Sequence, residues 1–81
     1  MNDRIFQVSQ NYFRLAKNRY VTSFIEADTN DFKIGETITF EETTHEGLQL
    51  TGFMLRVAVV NVGKNVKGLR KGYVIVSFAL F

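Results

Sequence analysis

The sequence predicts a small, mainly β domain (α+β in the wider sense): a strongly bent sheet or barrel of five to six strands with one short helix. Three observations predict it. The chain has 81 residues, enough for one core and too few for a second, so residues 1–81 read as a single domain. Short runs rich in Ile, Val, Phe, Thr and Tyr succeed one another with turn signals at close spacing. Only one stretch carries helical spacing. Closure of the sheet also hides its edges, which matters in a chain that has no proline to blunt them.

The elements follow in order. Arg4-Ile5-Phe6-Gln7-Val8 has the composition of a first strand. Ser9 is a helix N-cap, its hydroxyl placed to accept a free N–H of the first turn. Tyr12, Phe13 and Ala16, with Leu15 close by, form one apolar stripe, predicting a helix over about 10–17. Arg14, Lys17 and Arg19 fall on or just past its C-terminal end, where cations suit the helix dipole. Tyr20–Ile25 is β-branched and aromatic and predicts a second strand. Asp28-Thr29-Asn30-Asp31 is a polar turn. Thr37-Ile38-Thr39-Phe40-Glu41 alternates polar and apolar, as a strand with one wet face does. Residues 43–47 read as a hairpin loop. A long strand follows over 48–62, bent at Gly52, with apolar residues on both faces that predict burial on both sides. Residues 63–72 read as a loop, and Tyr73–Leu80 as the last strand.

Composition narrows the chemistry. Cysteine is absent, which excludes disulfides and Cys-based zinc sites. One histidine, His45, argues against a zinc enzyme or a Ser-His-Asp triad; in its Thr-Thr-His-Glu setting it reads as an exposed loop residue. Glu41, Glu42 and Glu46 cluster near the hairpin; a divalent ion uses such carboxylates, but a solvated edge explains them as well. We expect no metal and no cofactor. No apolar run is long enough to span a membrane, and the N-terminal residues lack a signal-peptide pattern; the expectation is a cytoplasmic protein with no membrane partner.

Charge is unevenly spread. Residues 1–50 hold five Lys/Arg and all eight acids, whereas residues 51–81 hold five Lys/Arg and no acid. A split of this kind points to a polyanionic partner unless the fold interleaves the halves. The strongest local signal is Lys64, Lys67, Arg70 and Lys71 within one loop that also contains Gly63, Gly68 and Gly72. Lys and Arg neutralise phosphates, and glycine lets backbone N–H groups approach them. Tyr73 follows immediately, an aromatic of the kind on which unpaired RNA bases stack. A solubilising loop beside a core tyrosine is the competing reading.

Several segments together resemble the ASCH domain, in particular its short bacterial and phage branch. Asp31-Phe32-Lys33-Ile34-Gly35-Glu36, followed by a strand ending in Glu41-Glu42, is similar to a D-[FY]-x-[VI]-G-[DE] segment. Gly52 with Leu55-Arg56-Val57 resembles the following strand. Gly68-Leu69-Arg70-Lys71-Gly72-Tyr73-Val74-Ile75-Val76-Ser77 resembles a G-L-x-x-G-Y-V-V-[ML]-S ending, the most specific piece, and Gln10-Asn11-Tyr12-Phe13 resembles the start of the helix. The resemblance implies a PUA-like β-barrel, an RNA-related role and, in some members, hydrolysis of N4-acetylcytidine. The catalytic hallmark of that family falls on residues 19–26. Thr22 matches its Thr, while Tyr20 and Val21 stand at the Lys positions, Phe24 at the Glu and Glu26 at the Arg.

The expected function is therefore binding of RNA or a nucleotide-like ligand without catalysis. The basic loop (Lys64, Lys67, Arg70, Lys71) and Tyr73 are its candidate RNA-binding residues. A pocket is expected between the helix end and the second strand, formed by Lys17, Arg19, Tyr20, Thr22 and Glu42. The alternatives are an N4-acetylcytidine-type amidohydrolase, in which Lys17 and Glu42 activate Thr22, and a small protein-interaction module.

Overall fold

The computed structural model describes residues 4–44 and 49–81. His45, Glu46, Gly47 and Leu48, which include most of the expected hairpin loop and the expected start of the long strand, lie outside the described residues. The elements are β1 (Arg4–Val8), α1 (Gln10–Lys17), β2 (Ser23–Ala27), a short 3-10 turn (Asp28–Asn30), β3 (Thr37–Thr43), β4 (Leu50–Gly63) and β5 (Tyr73–Leu80). They form one five-stranded sheet in the order β1-β3-β4-β5-β2. β1 runs parallel to β3; β3–β4, β4–β5 and β5–β2 are antiparallel. The expected mainly β, barrel-like architecture with one short helix is what the chain adopts, as a curled half-barrel.

Curling follows from β4. Its 14 residues pair with β3 through the first part and with β5 through the second. Register shifts between Glu41 and Thr43 and between Val59 and Asn61 bend the ladders, as bulges do. Gly52 takes φ +94°, a conformation open to glycine. The two end strands, β1 and β2, are brought close enough for the Phe6 and Phe24 rings to meet edge-on at 5.7 Å.

The concave face is the core. Ile38, Phe40, Val57, Val59, Val74, Val76 and Phe78 are buried there, with Phe13 and Ala16 of α1 and Phe32 from the segment before β3. Phe24 touches Phe6, Phe32, Phe40 and Phe78 at centroid distances of 5.7–6.2 Å. Each such pair is worth about 0.5–1.5 kcal/mol beyond its burial. Phe40, Val57, Val74 and Val76 are buried as their alternation predicts, and Leu55 is half-buried.

Three expectations are corrected. The second strand begins at Ser23 rather than Tyr20, because the turn after α1 claims the preceding residues: Arg19 is left-handed (φ 64°), and the Tyr20 and Val21 N–H groups both donate to the Leu15 carbonyl. β4 is buried on one face only. Met54 and Val60 are exposed, since among the described residues no element covers the convex side and α1 packs against the core. Thr43, read as loop, closes β3; its hydroxyl donates to the Val8 carbonyl at 3.0 Å. Among the described residues no helix is long and apolar enough to cross a membrane.

Candidate nucleic-acid interface

The loop over residues 64–72 is built from two successive tight turns. The Leu69 N–H donates to the Val66 carbonyl (2.9 Å) and the Tyr73 N–H to the Arg70 carbonyl (3.1 Å). The third residue of each turn is a glycine with positive φ, Gly68 at +86° and Gly72 at +87°, the position where a type II turn favours glycine. Lys67 and Lys71 are the second residues of these turns and are exposed. Arg70, Lys71, Gly72 and Tyr73 line a cleft of about 340 Å³ together with Asn65, Val66 and Leu69. Lys64 pairs with Asp28 at 3.5 Å, and the Asp28 N–H donates to the Gly72 carbonyl at 2.8 Å, which ties the loop to the end of β2. Lys67, Arg70 and Lys71 have no carboxylate partner among the described residues.

The expected pocket does not assemble as one site. Lys17 and Glu42 do share a cavity of about 450 Å³, with Gln10, Phe13, Arg14, Asn18 and Phe53. Arg19, Tyr20 and Thr22 are not part of it. The left-handed Arg19 throws Tyr20 outward, to 80% exposure. Thr22 is exposed, and its carbonyl accepts the Phe78 N–H at 2.9 Å. Glu42 is engaged elsewhere: it accepts the Thr51 hydroxyl at 2.7 Å. Thr22 and the basic loop also sit at opposite ends of β5. The five steps from Tyr73 to Phe78 span roughly 17 Å at about 3.3 Å per residue.

A third concavity was not foreseen. The open side of the half-barrel, between β1 and β2, is a cleft of about 350 Å³ lined by Phe6, Gln7, Val8, Ser9, Tyr12, Phe24, Ile25, Glu26 and Phe40. Ladder alternation fixes the groups that border it. Thr22 is bonded to Phe78 of β5 and Asp28 to Gly72 just before it, so by alternation Phe24 and Glu26 bond to β5 as well, and the N–H and C=O of Ile25 turn towards the cleft. The same reasoning from the Val59 N–H to Glu36 carbonyl bond turns Thr39 and Glu41 towards β1. Ile5 and Gln7, their parallel partners, then turn outward.

The cleft is aromatic with polar groups at its rim. Ser9 caps α1, accepting the Tyr12 N–H at 3.1 Å. Tyr12 stands edge-on to Phe40 at 5.7 Å, and its hydroxyl donates to the Ser23 carbonyl at 3.5 Å. Burial raises the Tyr12 phenol above its ordinary pKa. Glu26 is half-buried; its Oε1 accepts the Ala27 N–H at 3.3 Å, and Oε2 has no partner among the described residues. Ala27 pairs with Tyr73, so the cleft and the basic loop adjoin across one strand. Among the described residues no three His, Cys, Asp or Glu side chains gather as metal ligands.

Residues 5–78 match the family model described as Domain of unknown function (DUF3850). The chain belongs to that family. A comparison with curated proteins gives no significant match. The DUF3850 match runs from β1 to β5 and so includes both the cleft and the basic loop.

Sequence reading missed Gln7, Tyr12, Phe24 and Glu26 as site residues. The one available signal was Glu26, an acid directly after the apolar Phe24-Ile25 pair.

Proposed function

We propose that this DUF3850 domain binds single-stranded RNA and performs no chemistry on it. The observation that carries the reading is the adjacency of two features: three cations without carboxylate partners among the described residues, Lys67, Arg70 and Lys71, and the aromatic cleft between β1 and β2, with Ala27 and Tyr73 paired between them. The loop holds backbone phosphates by charge. Tyr73, 37% exposed on the wall of the loop cleft, offers a stacking face. The cleft admits an unpaired base, which a duplex cannot present. The resemblance to ASCH domains of the PUA-like class points the same way.

The amidohydrolase reading has less support, because Thr22 stands apart from the cavity of Lys17 and Glu42. A protein-interaction role has one observation in its favour: Leu50, Phe53 and Met54 are exposed along the first part of β4, and exposed apolar clusters mark partner surfaces.

The test is a fluorescence-anisotropy titration with a labelled nine-nucleotide single strand and the duplex of equal length. We expect saturable binding of the single strand and weaker binding of the duplex. Absence of binding to both at low salt contradicts the proposal.

A further inference from the structure

We infer that the β1–β2 cleft reads guanine, with Glu26 as the residue that selects it. The inference deepens the RNA-binding proposal and rests on it. Among the described residues Glu26 is the one carboxylate lining the cleft, on a wall otherwise made by Phe24 and Ile25. A carboxylate only accepts hydrogen bonds, and its two oxygens offer about four acceptor positions. Ala27 occupies one on Oε1. That leaves both oxygens open to a ligand that presents two parallel N–H donors side by side.

Among the four RNA bases only guanine does so, through its N1–H and exocyclic N2 amine. Uracil offers a single N3–H flanked by two carbonyl oxygens, which face a carboxylate unfavourably. Adenine and cytosine each offer one exocyclic amine beside a ring acceptor, so the second carboxylate oxygen meets a lone pair. The cleft also holds what the rest of the base requires. On the opposite rim the Gln7 backbone N–H, turned away from β3, is a donor for the O6 carbonyl. Phe6, Phe24, Tyr12 and Phe40 supply the apolar wall for the ring faces, and a volume of about 350 Å³ lies at the small end of ligand pockets. The cationic loop lies one strand away, tied to the end of β2, where it can take the phosphates that flank the bound nucleotide.

The experiment uses nine-nucleotide uridine strands carrying G, inosine, A, C or U at the central position, competed against a labelled all-uridine strand. The G strand should bind roughly ten- to a hundredfold more tightly than the all-uridine strand, the range a two-bond carboxylate–base contact supplies. Inosine, which lacks the N2 amine, should lose much of that gain. Glu26→Gln should bring the G strand and the all-uridine strand to within about twofold of each other; the inosine comparison needs no variant and so does not depend on that variant's folding. Equal binding of all five strands overturns the guanine assignment and leaves the RNA-binding proposal standing. A G preference that inosine retains in full, or that survives in folded Glu26→Gln, also overturns it. Binding of no strand overturns both.

Discussion

Arg4, at the first position of β1, forms an ion pair with Glu36, just before β3: the Arg4 Nε donates to Glu36 Oε2. The pair closes the end of the half-barrel opposite α1. The Glu36 side chain is 3% exposed, and its other oxygen accepts the Lys33 N–H at 3.0 Å. The same guanidinium lies 4.3 Å from the Phe32 ring centroid and donates to the Asn30 and Asp31 carbonyls. One arginine thus fixes the 28–36 segment under the sheet and holds Phe32 in the core.

Removing either partner should therefore be costly. Glu36→Ala strands the guanidinium among carbonyls, and Arg4→Ala leaves a buried carboxylate with one donor. We expect about 2–4 kcal/mol for each, below the upper range for buried pairs because Arg4 is partly exposed. In an 81-residue domain this lowers the melting temperature by roughly 10 °C or more. Thermal melts of both single variants and the double variant check it. The double variant should lose less than the sum of the two.

Tyr12 predicts the alkaline limit of stability. Its phenol has a folded-state pKa raised above the ordinary value near 10 by burial. The folded chain therefore retains a proton that the unfolded chain releases as pH passes 10. Stability from this group is complete below about pH 10 and falls as pH rises towards the folded value. Tyr12→Phe should flatten the alkaline fall in urea midpoint between about pH 9.5 and 11. An unchanged alkaline profile contradicts the assignment.

Much of the fold is legible locally. The bounds of β1, α1 and β5 coincide with their sequence patterns because each is decided by neighbours: alternation in the strands, Ser9 and the Tyr12–Phe13–Ala16 stripe in the helix. The start of β2 was misplaced because the β propensity of Tyr20 and Val21 yields to the C-terminal turn of α1, whose geometry depends on a left-handed Arg19. The exposed face of β4 departs from the expectation because hydropathy does not reveal that none of the described elements packs over it. The site divides in the same way. The basic loop is a contiguous run with glycines where two turns need them, so it stands out in sequence. Gln7 and Glu26 line one cleft only because β1 and β2 end up at opposite edges of a curled sheet, and no local pattern encodes that.

The separation of Thr22 from Lys17 and Glu42 bears on chemistry. Without a base or a lowered-pKa lysine beside it, a threonine hydroxyl is a poor nucleophile at neutral pH. Tyr20, Val21 and Phe24 add no charge to stabilise an oxyanion. Incubation with N4-acetylcytidine, followed by chromatography for cytidine, should show no turnover above buffer. Turnover that disappears in Thr22→Ala would reverse this conclusion.

The central claim, that the 64–72 loop holds RNA phosphates, is tested most directly by the salt dependence of single-strand binding in the parent and in a Lys67→Ala, Arg70→Ala, Lys71→Ala triple variant. Neutralising three to four phosphates gives a log–log slope of roughly −2 to −3 for the parent. The variant should fold with unchanged stability, since exposed loop charges contribute little, and its slope should flatten by about 2. If the folded variant binds with the parent's affinity and slope, the loop is a solvated face and the account is wrong.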